Sequence, residues 1–354
     1  MRVVSIVGAR PQFVKAAAVS RALRREHTEI LVHTGQHYDH GMSDVFFTEL
    51  DIPRPDYDLG VGSGGHGRQT GEMLGMLEEL LLELTPDAVL VYGDTNTTLA
   101  GGLAAAKLHV PVAHVEAGLR SFDRTMPEEL NRVVVDHVSD LLLAPTPTAV
   151  RNLAAEGITA GVELVGDVML DTALFFAERS DDAEVLVRRQ LERGRYYLAT
   201  VHRAATSDSP EKMASVLEAF GRLPLPVVWA VHPRTAANLE RFGMRSLPAN
   251  VRATEPLPYG ETVALLRNAA ALLTDSGGMQ KEAYFFEVPC VTLRDTTEWA
   301  ETVELGWNRL AGTDADAIVE AVAASGPGSG HPDVYGDGNA AEAVVGALER
   351  HLGR

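Results

Sequence analysis

Short apolar runs recur along this chain, and each ends in a polar or glycine-bearing loop. They include Val3-Val4-Ser5-Ile6-Val7, Ile30-Leu31-Val32-His33, Val89-Leu90-Val91-Tyr92, Val112-Ala113-His114-Val115 and Leu141-Leu142-Leu143-Ala144. Helix-length segments separate them. A strand that is apolar at every position is buried on both faces, which is the condition of a parallel sheet covered by helices. The alternation therefore predicts an α/β protein with parallel sheets and helices on both faces. The series pauses at the charged stretch 178–192, which reads as an exposed connection. It resumes at Tyr196 with the runs 198–201, 227–231, 271–274 and 291–293. The length of 354 residues exceeds the usual reach of one core, so two domains of about 150–170 residues are expected.

In open parallel sheets, ligands bind beyond the carboxyl ends of the strands. The stretch from Val91 to Arg132 places carboxylates at such ends: Asp94 after one strand, Glu116 after the next, and Glu128 in the helix start Pro127-Glu128-Glu129. A lone acid of this kind is ordinarily a helix cap or a first-turn residue complementing the helix dipole. Three on adjacent loops point instead to one site. The loop after the first strand brings Arg10 and Lys15 to the start of a helix expected over 13–25. Cations there suggest a bound anion.

Other strand ends carry further candidates. Gln36 and His37 follow the second strand. The glycine-rich run 60–67 contains G-x-G-x-x-G twice, but it follows prolines and not an apolar strand, so it reads as a loop or lid without a dinucleotide. Two later strands end in a histidine with an arginine close by, His202-Arg203 and His232-Pro233-Arg234. Asp275-Ser276-Gly277-Gly278 opens a helix whose N–H groups suit a phosphate, with Glu282 about one and a half turns on, within reach of a ribose. Arg294 begins another polar strand-end loop. A glycine-rich cap holding no ligand is the plain alternative for the 275–278 segment.

The formal charge of -18 argues against nucleic acid or an anionic membrane surface as a partner. No stretch approaches the ~20 apolar residues of a membrane span, and the chain opens on a strand, so a cytoplasmic protein is expected. Cys290 is the single cysteine and sits in an apolar run, which predicts a buried, inert thiol.

Two sheet domains, one with a diphosphate cradle and one with carboxylates, suit a nucleotide-activated sugar. The motifs GARPQFVKAA, GQHYD, VYGDTNTTLAGG, HVEAGLRS, MPEELNR, VGDVMLD, VHRA and LTDSGGMQKEA span nearly the whole chain. In that order they resemble the non-hydrolysing UDP-N-acetylglucosamine 2-epimerase family of the glycosyltransferase-B superfamily. The resemblance implies two Rossmann-like domains facing a central cleft: residues 1–168, rejoined by a final helix 339–354, and residues 169–338, with a hinge at 165–171. It implies interconversion of UDP-GlcNAc and UDP-ManNAc without an added cofactor or metal, by a homodimer serving polysaccharide or amino-sugar biosynthesis. By motif, Asp94, Glu116, Glu128 and His202 match the catalytic set. Arg10, Lys15, Arg203, His232, Ser276, Gly277, Gly278, Glu282 and Arg294 fall to substrate binding, and Gln36, His37, Arg68 and Gln69 to a regulatory or pocket loop. Which carboxylate is base and which acid is left open.

The chain departs from many bacterial members at Tyr38 and Asp39, at Thr296-Thr297-Glu298-Trp299-Ala300-Glu301, and in a shorter segment between HVEAG and PEE. GARPQ, RSFDRTMPEE, DTALFFAE and EWAE resemble a branch that includes 2-epimerases of UDP-2,3-diacetamido sugars. That substrate is the alternative to UDP-GlcNAc, and a hydrolysing epimerase releasing ManNAc and UDP is another.

Overall fold

The structure, a computed structural model, describes residues 1–36, 50 and 52–352, with the backbone alone for Arg10. It divides into two compact units, Met1–Leu174 with Asp333–Arg354, and Phe175–Pro332. The passage from one unit to the other falls inside a single helix, Val168–Arg179.

The first unit holds strands β1 (Arg2–Val7), β2 (Thr28–His33), β3 (Tyr57–Asp58), β4 (Ala88–Tyr92), β5 (Val112–Val115), β6 (Leu141–Ala144) and β7 (Val162–Leu164). They form a seven-stranded sheet in the order β3-β2-β1-β4-β5-β6-β7. Every pairing is parallel. The second unit holds β8 (Tyr197–Thr200), β9 (Val227–Ala230), β10 (Val251–Thr254), β11 (Ala271–Thr274), β12 (Cys290–Thr292) and β13 (Asn308–Leu310). These make a six-stranded sheet in the order β10-β9-β8-β11-β12-β13, again all parallel. Two parallel-sheet α/β domains are thus present, as the apolar runs require.

In each sheet the strand order reverses once, at β1/β4 in the first and at β8/β11 in the second. Connections on the two sides of such a reversal leave on opposite faces and open a crevice at the strand ends. Both reversals are built tightly. Val4, Ile6, Val89 and Val91 are fully buried together in the first unit, each worth about 1.5–3 kcal/mol of apolar burial. The helix Asn96–Lys107 lies close on that sheet because Gly101 has no side chain: a Cβ there would sit 3.0 Å from Ile6 Cδ1 and 3.1 Å from Val91 Cγ1.

The last helix, Ala340–Leu352, packs against the helix Arg10–Leu23 of the first unit. Asp171 accepts its opening amides, from Ala341 at 2.7 Å and Ala340 at 3.1 Å. Arg25 pairs with Glu342, and His27 meets Glu349 at 3.0 Å.

Several local expectations differ from the structure. The first helix starts at Arg10, not at residue 13, because Pro11 is well tolerated in a first turn. Lys15 therefore stands in the second turn. The charged stretch 178–192 is exposed at most of its positions, as expected, but largely helical. Within it the helix Asp182–Arg189 buries Val185 and ties down through Arg189 to Glu261 at 2.6 Å. Strands β3, β10 and β13 have no counterpart in the sequence reading. Each is short and lies at a sheet edge, where no long apolar run is needed.

Candidate active site

Three groups meet at the end of β4. Gly93 turns there with φ +64°, and a Cβ on it would lie 2.7 Å from Lys15 Nζ and 3.6 Å from Glu116 Oε2. The positive φ favours glycine here, and an added Cβ would require the ammonium to shift. Lys15 and Glu116 form an ion pair, both side chains being less than a tenth exposed. Glu116 is itself in the left-handed region at φ +71°, a conformation that costs a non-glycine residue roughly 1–3 kcal/mol. Gln12 joins β1 to the same place: its Oε1 accepts the amides of Gly8 and Ala9, and its Nε2 donates to the Tyr92 carbonyl at 3.0 Å.

Asp94 follows Gly93 directly. It is not the cap of the next helix; that role belongs to Thr95, whose side chain accepts the Thr98 amide. Arg132 holds the Asp94 carboxylate instead, and Asn131 Nδ2 donates to the Asp94 carbonyl at 2.9 Å. Both come from the helix Pro127–Val138. Glu128 stands three and four residues before them, so it shares their face of the helix, and it is half-buried. Its neighbour Glu129 is buried and serves the loop. Burial pushes its carboxyl up, but hydrogen bonds from Ser121, Arg132 and Phe122 outweigh this and hold it below the usual range.

Gln36 Oε1 accepts from the amide and hydroxyl of Thr97 at 2.9 and 2.8 Å. Gln69 is buried, donating to the Gly62 carbonyl at 2.7 Å and accepting from Asn96 at 2.9 Å. These contacts fasten the glycine-rich loop to the helix after β4. Arg68 is exposed. His37, with Tyr38 and Asp39, lies outside the described residues, as does the side chain of Arg10.

The second unit repeats the arrangement at β8 and β11. Thr200 and Thr274 end these strands side by side, their hydroxyls 2.6 Å apart. The fully buried carboxylate of Asp275 accepts the amides of His202 at 3.0 Å and Arg203 at 2.8 Å. His202 therefore hangs at the mouth of the sheet, with its ring 6.0 Å from that of His232. His232 caps the helix Pro233–Arg241 by accepting the Arg234 amide. Ser276 is the N-cap of the helix Gly277–Phe285. A Cβ on Gly277 would sit 2.3 Å from Glu298 Oε1, so any side chain here requires that carboxylate to shift. Arg294 at 3.0 Å and Arg203 at 3.6 Å flank that carboxylate. Gly278 is half-buried. Glu282 is buried and accepts from the Tyr259 hydroxyl at 2.8 Å.

Asp94, Glu116 and Lys15 thus assemble in the first unit, and His202, Arg203, Ser276, Gly277 and Arg294 in the second. Residues with no signal in the sequence reading also belong here. Arg132 and Asn131 orient Asp94, and Glu298 lies over the helix start. The MPEELNR and TTE stretches carry these residue types, but nothing local in the chain names their partners. Among the described residues, no group of His, Cys, Asp and Glu could hold a metal ion, and no helix is long and apolar enough to cross a membrane.

The family model for UDP-N-acetylglucosamine 2-epimerase matches residues 21–349. The chain belongs to this family. A protein of Methanococcus maripaludis named as a UDP-N-acetylglucosamine 2-epimerase homolog is 49% identical, over 98% of this chain and 99% of its own. The UDP-2,3-diacetamido-2,3-dideoxy-D-glucuronate 2-epimerase of Pseudomonas aeruginosa is 47% identical, over 99% of this chain and all of its own. The crystal structure of Methanocaldococcus jannaschii UDP-GlcNAc 2-epimerase in complex with UDP-GlcNAc and UDP is 41% identical. It superposes with a TM-score of 0.91, covering 99% of this chain and 100% of that one.

Proposed function

We propose that the protein catalyses cofactor-independent 2-epimerisation of a UDP-2-acetamido sugar. The carrying observation is the cluster at the β4 and β5 ends, where Glu116 pairs with Lys15 beneath the Gly93 turn and Asp94 follows in the grip of Arg132.

The reaction explains why such groups are needed. The C2–H of the sugar is not alpha to a carbonyl, so direct deprotonation is prohibitively hard. Breaking C1–O gives C1 cationic character and acidifies C2–H. Anti elimination then leaves a 2-acetamidoglucal and UDP, with the C2 proton on the enzyme and the C1–O electron pair on the diphosphate. Protonation of C2 from the opposite face and return of UDP to C1 complete the change. An ammonium beside a carboxylate favours its ionised form, so Glu116 is assigned as the base, and Glu128 as the proton donor to the other face. Asp94 opposes positive character at C1. The second unit receives UDP: the Ser276–Gly278 helix start, with His202, Arg203 and Arg294, takes the diphosphate, and Glu282 the ribose.

For the sugar, UDP-GlcNAc and UDP-2,3-diacetamido-2,3-dideoxy-D-glucuronate are the two substrates to try. The relative named for the diacetamido sugar is 47% identical, beside 49% for the homolog named for UDP-N-acetylglucosamine and 41% for the M. jannaschii enzyme solved with UDP-GlcNAc, so identity ranks neither sugar first. Proton NMR of a UDP-sugar panel in D2O tests both the reaction and the substrate. The expected result is an epimeric UDP-sugar carrying deuterium at C2, without an acceptor. Free sugar and UDP as the end products would assign a hydrolysing enzyme, and retention of the substrate's own C2 proton would overturn the two-group elimination.

A further inference from the structure

His114 lies on β5 two residues before Glu116, fully buried, and has no part in the assignments above. Its Nε2 donates to the Gly93 carbonyl at 2.7 Å, and its Nδ1 to Asp136 Oδ1 at 2.7 Å. A carbonyl and a carboxylate both accept, so each ring nitrogen faces an acceptor. Burial pushes the Asp136 carboxyl up, but the hydrogen bond and charge of His114 and the Arg120 guanidinium together hold it below the usual range. The second oxygen of Asp136 accepts the Gly118 amide at 3.1 Å and Arg120 Nη1 at 2.7 Å. Arg120 in turn engages Glu156 through Nε and Nη2 at 2.6 and 2.7 Å.

This buried network grips two loops at once. One end fixes the Gly93 carbonyl, next to Asp94. The other fixes the Gly118 amide, two residues beyond Glu116. Gly93 and Glu116 both have positive φ, and for Glu116 such a backbone persists only where its surroundings over-determine it. Apolar side chains could fill the same space without desolvating charge. What they could not do is fix the direction of a carbonyl and an amide.

We propose that His114, acting through Asp136, is a positioning residue for the epimerisation, setting the aim of Asp94 and Glu116 toward the reacting carbons. The inference rests on the assignment of those two carboxylates as reacting groups. Two variants test it, His114→Gln, which keeps one donor of the two, and Asp136→Asn. On the substrate that the wild-type protein turns over, kcat falls about 10²-fold while KM and UDP affinity stay within about threefold. Deuterium incorporation at C2 slows in step with kcat. A crystal structure of each variant supplies a readout that needs no turnover, with Glu116 expected to leave Lys15 as its backbone relaxes. Wild-type kcat in a folded variant, or an unmoved Glu116–Lys15 pair, overturns the proposal. So does failure of both variants to fold, which would make the network purely structural. A wild-type protein inactive on every UDP-2-acetamido sugar would instead sink the proposed function, and the variant structures would still decide whether His114 positions Glu116.

Discussion

Arg132 grips one oxygen of Asp94 with two of its N–H groups, Nη2 at 2.6 Å and Nε at 3.0 Å. The same guanidinium donates from Nη1 to Glu129 at 2.8 Å, so one planar fork sets both the site carboxylate and the loop before its own helix. Lysine offers a point charge and cannot do this. Arg132→Lys is expected to lower kcat about 10²-fold with UDP affinity unchanged, since the nucleotide is assigned to the other unit. Steady-state NMR assays and UDP calorimetry measure the two quantities. Full turnover in the lysine variant would separate Asp94 from the chemistry.

Gly277 tests the nucleotide cradle. A Cβ there meets Glu298 Oε1 at 2.3 Å, and the larger side chain of Gly277→Val also covers the first amides of the helix. UDP affinity is expected to fall by at least about 100-fold, roughly the worth of two charge-assisted hydrogen bonds. The thermal midpoint should move by only a few degrees. UDP binding at wild-type strength would move the cradle elsewhere.

Asp171 gives a pH dependence of stability. Burial raises its carboxyl from 3.8 to about 6, outweighing the amides of Ala341 and Ala340 that favour the charged form. The folded value lies above the unfolded one, so the native state binds the proton more tightly than the unfolded chain. Its stabilising contribution is complete below about pH 4 and is lost as pH rises through 6. Urea unfolding at a series of pH values from 4 to 7 should show this loss, and Asp171→Asn should flatten it. Equal slopes in the two proteins would remove Asp171 as the cause.

How much of this was legible in the chain depends on the range of the interaction concerned. The apolar runs behind β1, β4, β5, β6 and β11 announce parallel strands because burial on both faces is written in consecutive residues. The strands β3, β10 and β13 announce nothing, because Tyr57-Asp58, Val251-Arg252-Ala253-Thr254 and Asn308-Arg309-Leu310 include exposed polar residues that a sheet edge tolerates. The first helix begins three residues before the expected start at 13, because a first turn has no use for the N–H that Pro11 lacks.

By itself, then, the sequence determined two parallel-sheet domains and the family, and it marked strand-end loops bearing Asp94, Glu116, His202 and Gly277. Those features are local: side-chain polarity, glycine and helix-start chemistry act within a few residues. The partners were decided by tertiary structure alone. Lys15 sits on Glu116, Arg132 on Asp94, His114 between Gly93 and Asp136, and Glu298 over Gly277. An ion pair or a hydrogen bond forms with whichever group the fold brings within about 3 Å. Strand order, which sets β1 beside β4 and β8 beside β11, is what brings them there.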